Sequence, residues 1–178
     1  MKCLAFDVGR KLGFGLLDGK SARSGSFEVL KTWSPLGTAL LTFEAKLQSL
    51  IDQYEPDVIG VARPFTRRGD TPMNLVPMYC AFGAVHQVAA LNKIPVEVIQ
   101  ESDARLAMLG KGNMPRGSAA LKKAIHLACR SRGWRACDYE ASDGLCIAAA
   151  VLEKRQPGKA HQTTPLFAVP TKRRRKLT

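Results

Sequence analysis

The chain is short of acid. Its 178 residues hold 15 Asp and Glu against 27 Lys and Arg, a formal charge of +12 at pH 7 and a pI near 9.8. A surface so poor in carboxylate gathers polyanions, which puts nucleic acid first among partners. No apolar run reaches the ~20 residues of a membrane span. The N-terminal MKCLAFDVG turns polar after six residues, too early for a secretory leader. Neither a basic amphipathic helix nor a lipidation signal supports docking on an anionic membrane. The five cysteines, Cys3, Cys80, Cys129, Cys137 and Cys146, are odd in number, scattered and without a C-x-x-C. That favours reduced, buried thiols in a cytoplasmic protein over disulfides or a zinc site. His86, His126 and His161 have no ligand spacing and read as structural or surface residues. No internal repeat is present, so a solenoid is excluded.

What remains is a composition 46% hydrophobic and 24% charged, that of one globular domain with a full core. Lys2–Val8 alternates and is apolar enough for a central strand. After the Gly9-Arg10-Lys11 turn, Leu12–Leu17 predicts a second strand, and Ser24–Lys31 a third in an antiparallel meander. Leu40, Phe43, Leu47, Leu50, Ile51 and Tyr54 recur at helical spacing between Leu36 and Tyr54. Pro56 ends that helix, and Val58–Ala62 follows as a strand parallel to the first, reached through a helical crossover. Met73–Asn92 reads as an apolar helix with Pro77 near its first turns, then Val96–Ile99 as a short fifth strand. Helices follow over Ser102–Leu109, from a Ser118 cap with Leu121, Ile125 and Ala128 on the buried face, and over Tyr139–Glu153. The predicted fold is α/β, a mixed five-stranded sheet with helices on both faces, over residues 1–156. Residues 157–178 lose periodicity and end in Lys172–Lys176, a flexible basic tail suited to tethering polyanions without reading their structure.

The scarce acids collect where chemistry is expected. Asp7 ends the first strand and projects past the sheet edge, where open α/β sheets bind ligands; a turn-capping aspartate is the plain alternative. In the stretch CDYEASDGLCIAAA, Glu140 and Asp143 are three apart and share one helix face, whereas Asp138 is off that face and reads as the N-cap. Acids in a first helical turn are also favoured by the dipole alone. Yet the apolar run after Asp143 sets it at the core border, a costly place for a lone charge. A divalent cation would compensate it, and hard oxygen donors from Asp7, Glu140 and Asp143 suit Mg²⁺ or Mn²⁺ rather than zinc. Two such ions hydrolyse phosphodiesters in other carboxylate sites.

Three stretches in this order, Asp7-Val-Gly-Arg-Lys-Leu-Gly-Phe-Gly, Pro56-Asp-Val-Ile-Gly-Val and Ala141-Ser-Asp-Gly-Leu-Cys-Ile-Ala-Ala, resemble the RuvC-type Holliday junction resolvases of the RNase H-like superfamily, over residues 1–153. The resemblance implies an RNase H-like sheet and a homodimer that nicks opposed strands of a four-way or branched DNA with Mg²⁺, two ions per site. It places the acidic tetrad on Asp7, Ala62, Glu140 and Asp143. The family has a glutamate where this chain has Ala62, with an aromatic three residues on, here Phe65. The resemblance therefore implies a site silenced at Ala62, with junction binding kept. It also points to Arg10, Lys11, Arg63, Arg67, Arg68, Arg105, Lys111, Lys122 and Lys123 as DNA contacts, the register of Lys122 against Lys123 being left open by the longer loop at residues 113–117. Phe65 would stack on an unpaired base or else pack in the core. Met73, Met78, Tyr79 and Phe82 lie in the helix that the family uses for dimerisation, and core packing explains them equally. Two other classes compete: a catalytically silent branched-DNA-binding protein, and an actin-like phosphotransferase, which needs two lobes and a longer chain.

Overall fold

The computed structural model describes residues 1–9, 11–19, 21–29, 35–66, 70–110 and 114–157. Strands β1 (Lys2–Asp7), β2 (Lys11–Asp18), β3 (Ser21–Glu28), β4 (Val58–Ala62) and β5 (Val96–Ile99) form one sheet in the order β3-β2-β1-β4-β5. β1, β2 and β3 pair antiparallel, while β4 lies parallel to β1 and β5 parallel to β4. The mixed sheet and its crossover match the sequence expectation. The third strand does not: it begins at Ser21 and ends at Glu28, three residues earlier than expected. The Asp18–Gly19 turn is tight, with Gly19 at φ 51, so Asp18 pairs directly with Ser21 and fixes the register from the turn outwards. Arg10, Arg67, Arg68, Lys111 and the Lys172–Lys176 tail lie outside the described residues.

Helices α1 (Leu36–Tyr54) and α2 (Pro72–Leu91) cover one face of the sheet. There Phe43, Leu47, Leu50 and Ile51 from α1 and Ala81, Val85 and Ala89 from α2 pack on Leu4, Phe6, Ile59 and Val61. Helices α3 (Glu101–Leu109), α4 (Ser118–Ser131) and α5 (Tyr139–Arg155) cover the other. Ser118 is the first residue of α4 and caps nothing; Gly117, at φ 91, holds the N-cap position and makes no side-chain cap bond. Asp138 does cap α5, accepting from the Ala141 N–H at 2.8 Å.

α5 is the central helix. From Ala141 to Leu152 every residue is buried, because the sheet lies beneath it while α3 and α4 flank it. Glycines make this possible. A Cβ on Gly13 would fall 1.7 Å from the Glu140 carbonyl oxygen, one on Gly15 2.3 Å from the Leu145 nitrogen, and one on Gly144 2.5 Å from the Phe14 carbonyl carbon. Helix backbone thus rests directly on strand backbone, with no side-chain layer between them.

Gly144→Ala is expected to destabilise the fold by about 3 kcal/mol in urea unfolding, since backbone on both sides blocks relief of the overlap. Asp138 also contributes. Partial burial raises its pKa, but hydrogen bonds from Lys11, Ser26 and the Ala141 N–H outweigh this and hold it at about 2. A depressed folded pKa adds stability above the unfolded aspartate value near 4. That stability is lost as pH falls towards 2. Asp138→Ala should therefore cost roughly 1–2 kcal/mol at pH 7 and much less near pH 2, measured by thermal unfolding across that range.

Candidate active site

Parallel strands β1, β4 and β5 end at one edge of the sheet, and the acids gather there. Asp7 is the last residue of β1 and Ala62 the last of β4. Ile99 ends β5 opposite Ala62, and the Arg63 N–H donates to the Ile99 carbonyl at 2.9 Å, holding the two strand ends level. Across this edge runs the first turn and a half of α5, which brings Glu140 and Asp143 over β1 and β2. Beside it stands Lys122 of α4, its Nζ 3.1 Å from Glu140 Oε1 and 3.8 Å from Asp143 Oδ2.

Asp143 is the charged side chain that goes into the core, 7% exposed as a residue. Among the described residues it makes no hydrogen bond, only the ion pair to Lys122. Burial, and next the negative charge of Asp7, push its pKa up to about 7 despite Lys122. Asp7 is raised to about 6, first by burial and then by the charge of Glu101, with Lys122 and Arg105 opposing. Glu140 behaves differently. Burial raises it, but the hydrogen bond from Lys122 and the charge of Lys11, 3.8 Å away, leave it below its ordinary value. Lys122 in turn loses basicity to burial and regains more from Glu140, Asp143 and Asp7, so that it stays cationic.

The site holds one buried carboxylate, Asp143, and one half-buried, Asp7, both short of positive charge, and a third already neutralised by lysines. Its donors are all hard oxygens, which fits Mg²⁺ or Mn²⁺ and not zinc. Among the described residues, no three acidic, histidine or cysteine side chains are gathered into a ready-made cage. Glu140 is instead drawn to Lys122 and Lys11.

The cationic candidates divide. Lys122 faces the acids, whereas Lys123 is exposed. Lys11 binds Asp138 at 2.6 Å beside Glu140. Arg63 is exposed at the end of β4, and Phe65 is 63% exposed, which rules out the core alternative for it. Arg105 is tied to Glu101 by a salt bridge one helical turn apart, with its Nε buried and unpaired. His126 bonds Ser142 at 2.8 Å and meets Tyr139 edge-on, a packing role. Glu101 escaped the sequence reading. Its signal was its place, two residues past the end of the strand beside β4, on the same edge as Asp7.

No protein-family model matches the chain. It is 28% identical over 157 residues to the crossover junction endodeoxyribonuclease RuvC of Rhodococcus opacus, which covers 83% of this chain and 79% of the relative. Among solved structures it is similar to Thermus thermophilus RuvC, at a TM-score of 0.68 and 20% identity over 87% of this chain and 96% of the other. The same protein in complex with a Holliday junction substrate gives a TM-score of 0.67 and 18% identity over 88% and 97%. By sequence the chain is similar to RuvC-type Holliday junction resolvases, and it shares their fold, the expected RNase H-like mixed sheet flanked by helices.

Proposed function

We propose that this protein binds four-way or branched DNA as a homodimer in the cytoplasm, and that its strand-edge acids hold divalent metal for hydrolysis of opposed phosphodiesters. The observation that carries the reading is a pair of carboxylates short of cationic charge on a basic chain, Asp143 buried and Asp7 half-buried. Asp7, Glu140 and Asp143 would hold Mg²⁺ or Mn²⁺, two ions per site. When bound, the ions supply Lewis-acid stabilisation of phosphate charge and lower the pKa of the attacking water. The chain's own residues do the rest. Lys11, Lys122 and Arg63, joined by Arg10, Arg67, Arg68, Arg105, Lys111 and Lys123, set phosphates against the acids by charge, a contact that positions DNA without reading its sequence. Phe65 presents a ring face to an unpaired base at the crossover. Met73, Val76 and Tyr79 leave an exposed apolar stripe on α2, which supports the homodimer. Among the described residues, no helix is long and apolar enough to cross a membrane.

Ala62 favours a second reading, a branched-DNA binder that cuts little or not at all, because a methyl group at the end of β4 offers the metal no oxygen. On a labelled four-way junction, the chain as it stands is expected to bind tightly and nick weakly. Ala62→Glu should raise paired, Mg²⁺-dependent nicking on the order of 10–100-fold, with EDTA abolishing it. If neither version nicks and both bind, the silent binder is the correct reading. Metal removal offers a separate check. Mg²⁺ should raise the melting temperature of the wild-type chain at neutral pH. Asp143→Asn should remove that gain while making the metal-free protein more stable, since an uncompensated buried charge is gone.

A further inference from the structure

The edge that lacks a carboxylate at position 62 has one a strand away. Ala62 and Ile99 are register partners in parallel strands, and the chain leaving Ile99 reaches Glu101 two residues later, in the first turn of α3. The Glu101 side chain is one-third exposed and lines an open cavity of about 330 Å³ together with Arg63, Phe65, Gln100, Ser102 and Arg105. The far side of this edge is Asp7. Among neighbouring acids the charge of Glu101 acts on Asp7 more strongly than that of Glu140, and it also reaches Asp143. Arg105, bonded to Glu101, puts its own charge on the same two aspartates. Glu101 therefore stands at the same strand edge as the acids, in the first turn of α3, paired there with Arg105.

We propose that Glu101 is the fourth metal-holding carboxylate of this site, supplied from the end of β5 in place of the one missing from the end of β4. This rests on the reading of Asp7, Glu140 and Asp143 as the metal site. Arg105 pairs with Glu101, and its charge also opposes the raised pKa of both aspartates. The buried, unpaired Nε of Arg105 marks that guanidinium as incompletely satisfied where it lies. A glutamate on α3 has the side-chain length to compensate for its displacement by one strand, and its oxygens are of the donor class the other three acids share. Glu101 also stands in an acid-favouring first helical turn and pairs with Arg105 four residues on, and those roles alone would leave metal affinity untouched by its removal.

The test is Mn²⁺ binding to the full-length chain, followed by the electron paramagnetic resonance of free Mn²⁺, with circular dichroism melting to verify folding. Wild type is expected to bind, Glu101→Gln to bind about tenfold or more weakly, and Ala62→Glu/Glu101→Gln to regain affinity because a carboxylate returns to the same edge. Wild-type affinity in Glu101→Gln overturns the proposal. So does a failure of Ala62→Glu to restore a folded Glu101→Gln protein, because the loss would then come from the freed Arg105. Asp143→Asn separates this from the underlying reading: if that variant binds Mn²⁺ like wild type, the three-acid site itself is wrong. If wild type binds none but Ala62→Glu does, the site stands and Glu101 does not complete it.

Discussion

Everything at this site hangs on the contact of helix backbone with strand backbone where α5 crosses β2. Gly13, Gly15 and Gly144 remove the side-chain layer that ordinarily separates a helix from a sheet. Without that approach Glu140 and Asp143 would stand a side-chain layer higher, out of reach of the end of β1. The same approach sinks Asp143 into the core, and from its burial follow its raised pKa and its demand for a cation. Packing and electrostatics are thus one design here: the glycines that fix the geometry also create the unmet charge.

Unmet charge is shared among several cations. Lys122 spans Glu140 and Asp143, Lys11 spans Asp138 and Glu140, and Arg105 holds Glu101. Each comes from a different element, β2, α3 or α4, so the acids are surrounded by positive groups on independent supports. Such a ring offsets the repulsion among like-charged carboxylates.

Much of this was legible in the sequence. Alternating and helical periodicities located every strand and helix, and the Glu140–Asp143 spacing with the apolar run behind it marked a buried acid correctly. The start of β3 was missed because Ser21, Ala22 and Arg23 carry no alternation; the Gly19 turn sets that strand, a constraint written in backbone angle and not in hydropathy. The Ser118 cap failed similarly, since a residue in the left-handed region before the helix takes the cap position from a serine suited to it. Glu101 was hidden for a different reason. In the chain near it only Arg105 pointed to a site, as a DNA contact, and the strand edge that carries Asp7 lies next to it only through the sheet.

The level strand ends of β4 and β5, joined by the Arg63–Ile99 hydrogen bond, bear on how such proteins are judged inactive. Side-by-side parallel strands deliver their next residues to the same patch of space, so a functional group lost from one can reappear on the other without disturbing the core. A column-by-column comparison registers that exchange as a deletion and would file the protein with dead relatives. Proteins of this architecture are better inventoried by what stands around the sheet edge than by which position in the chain it came from.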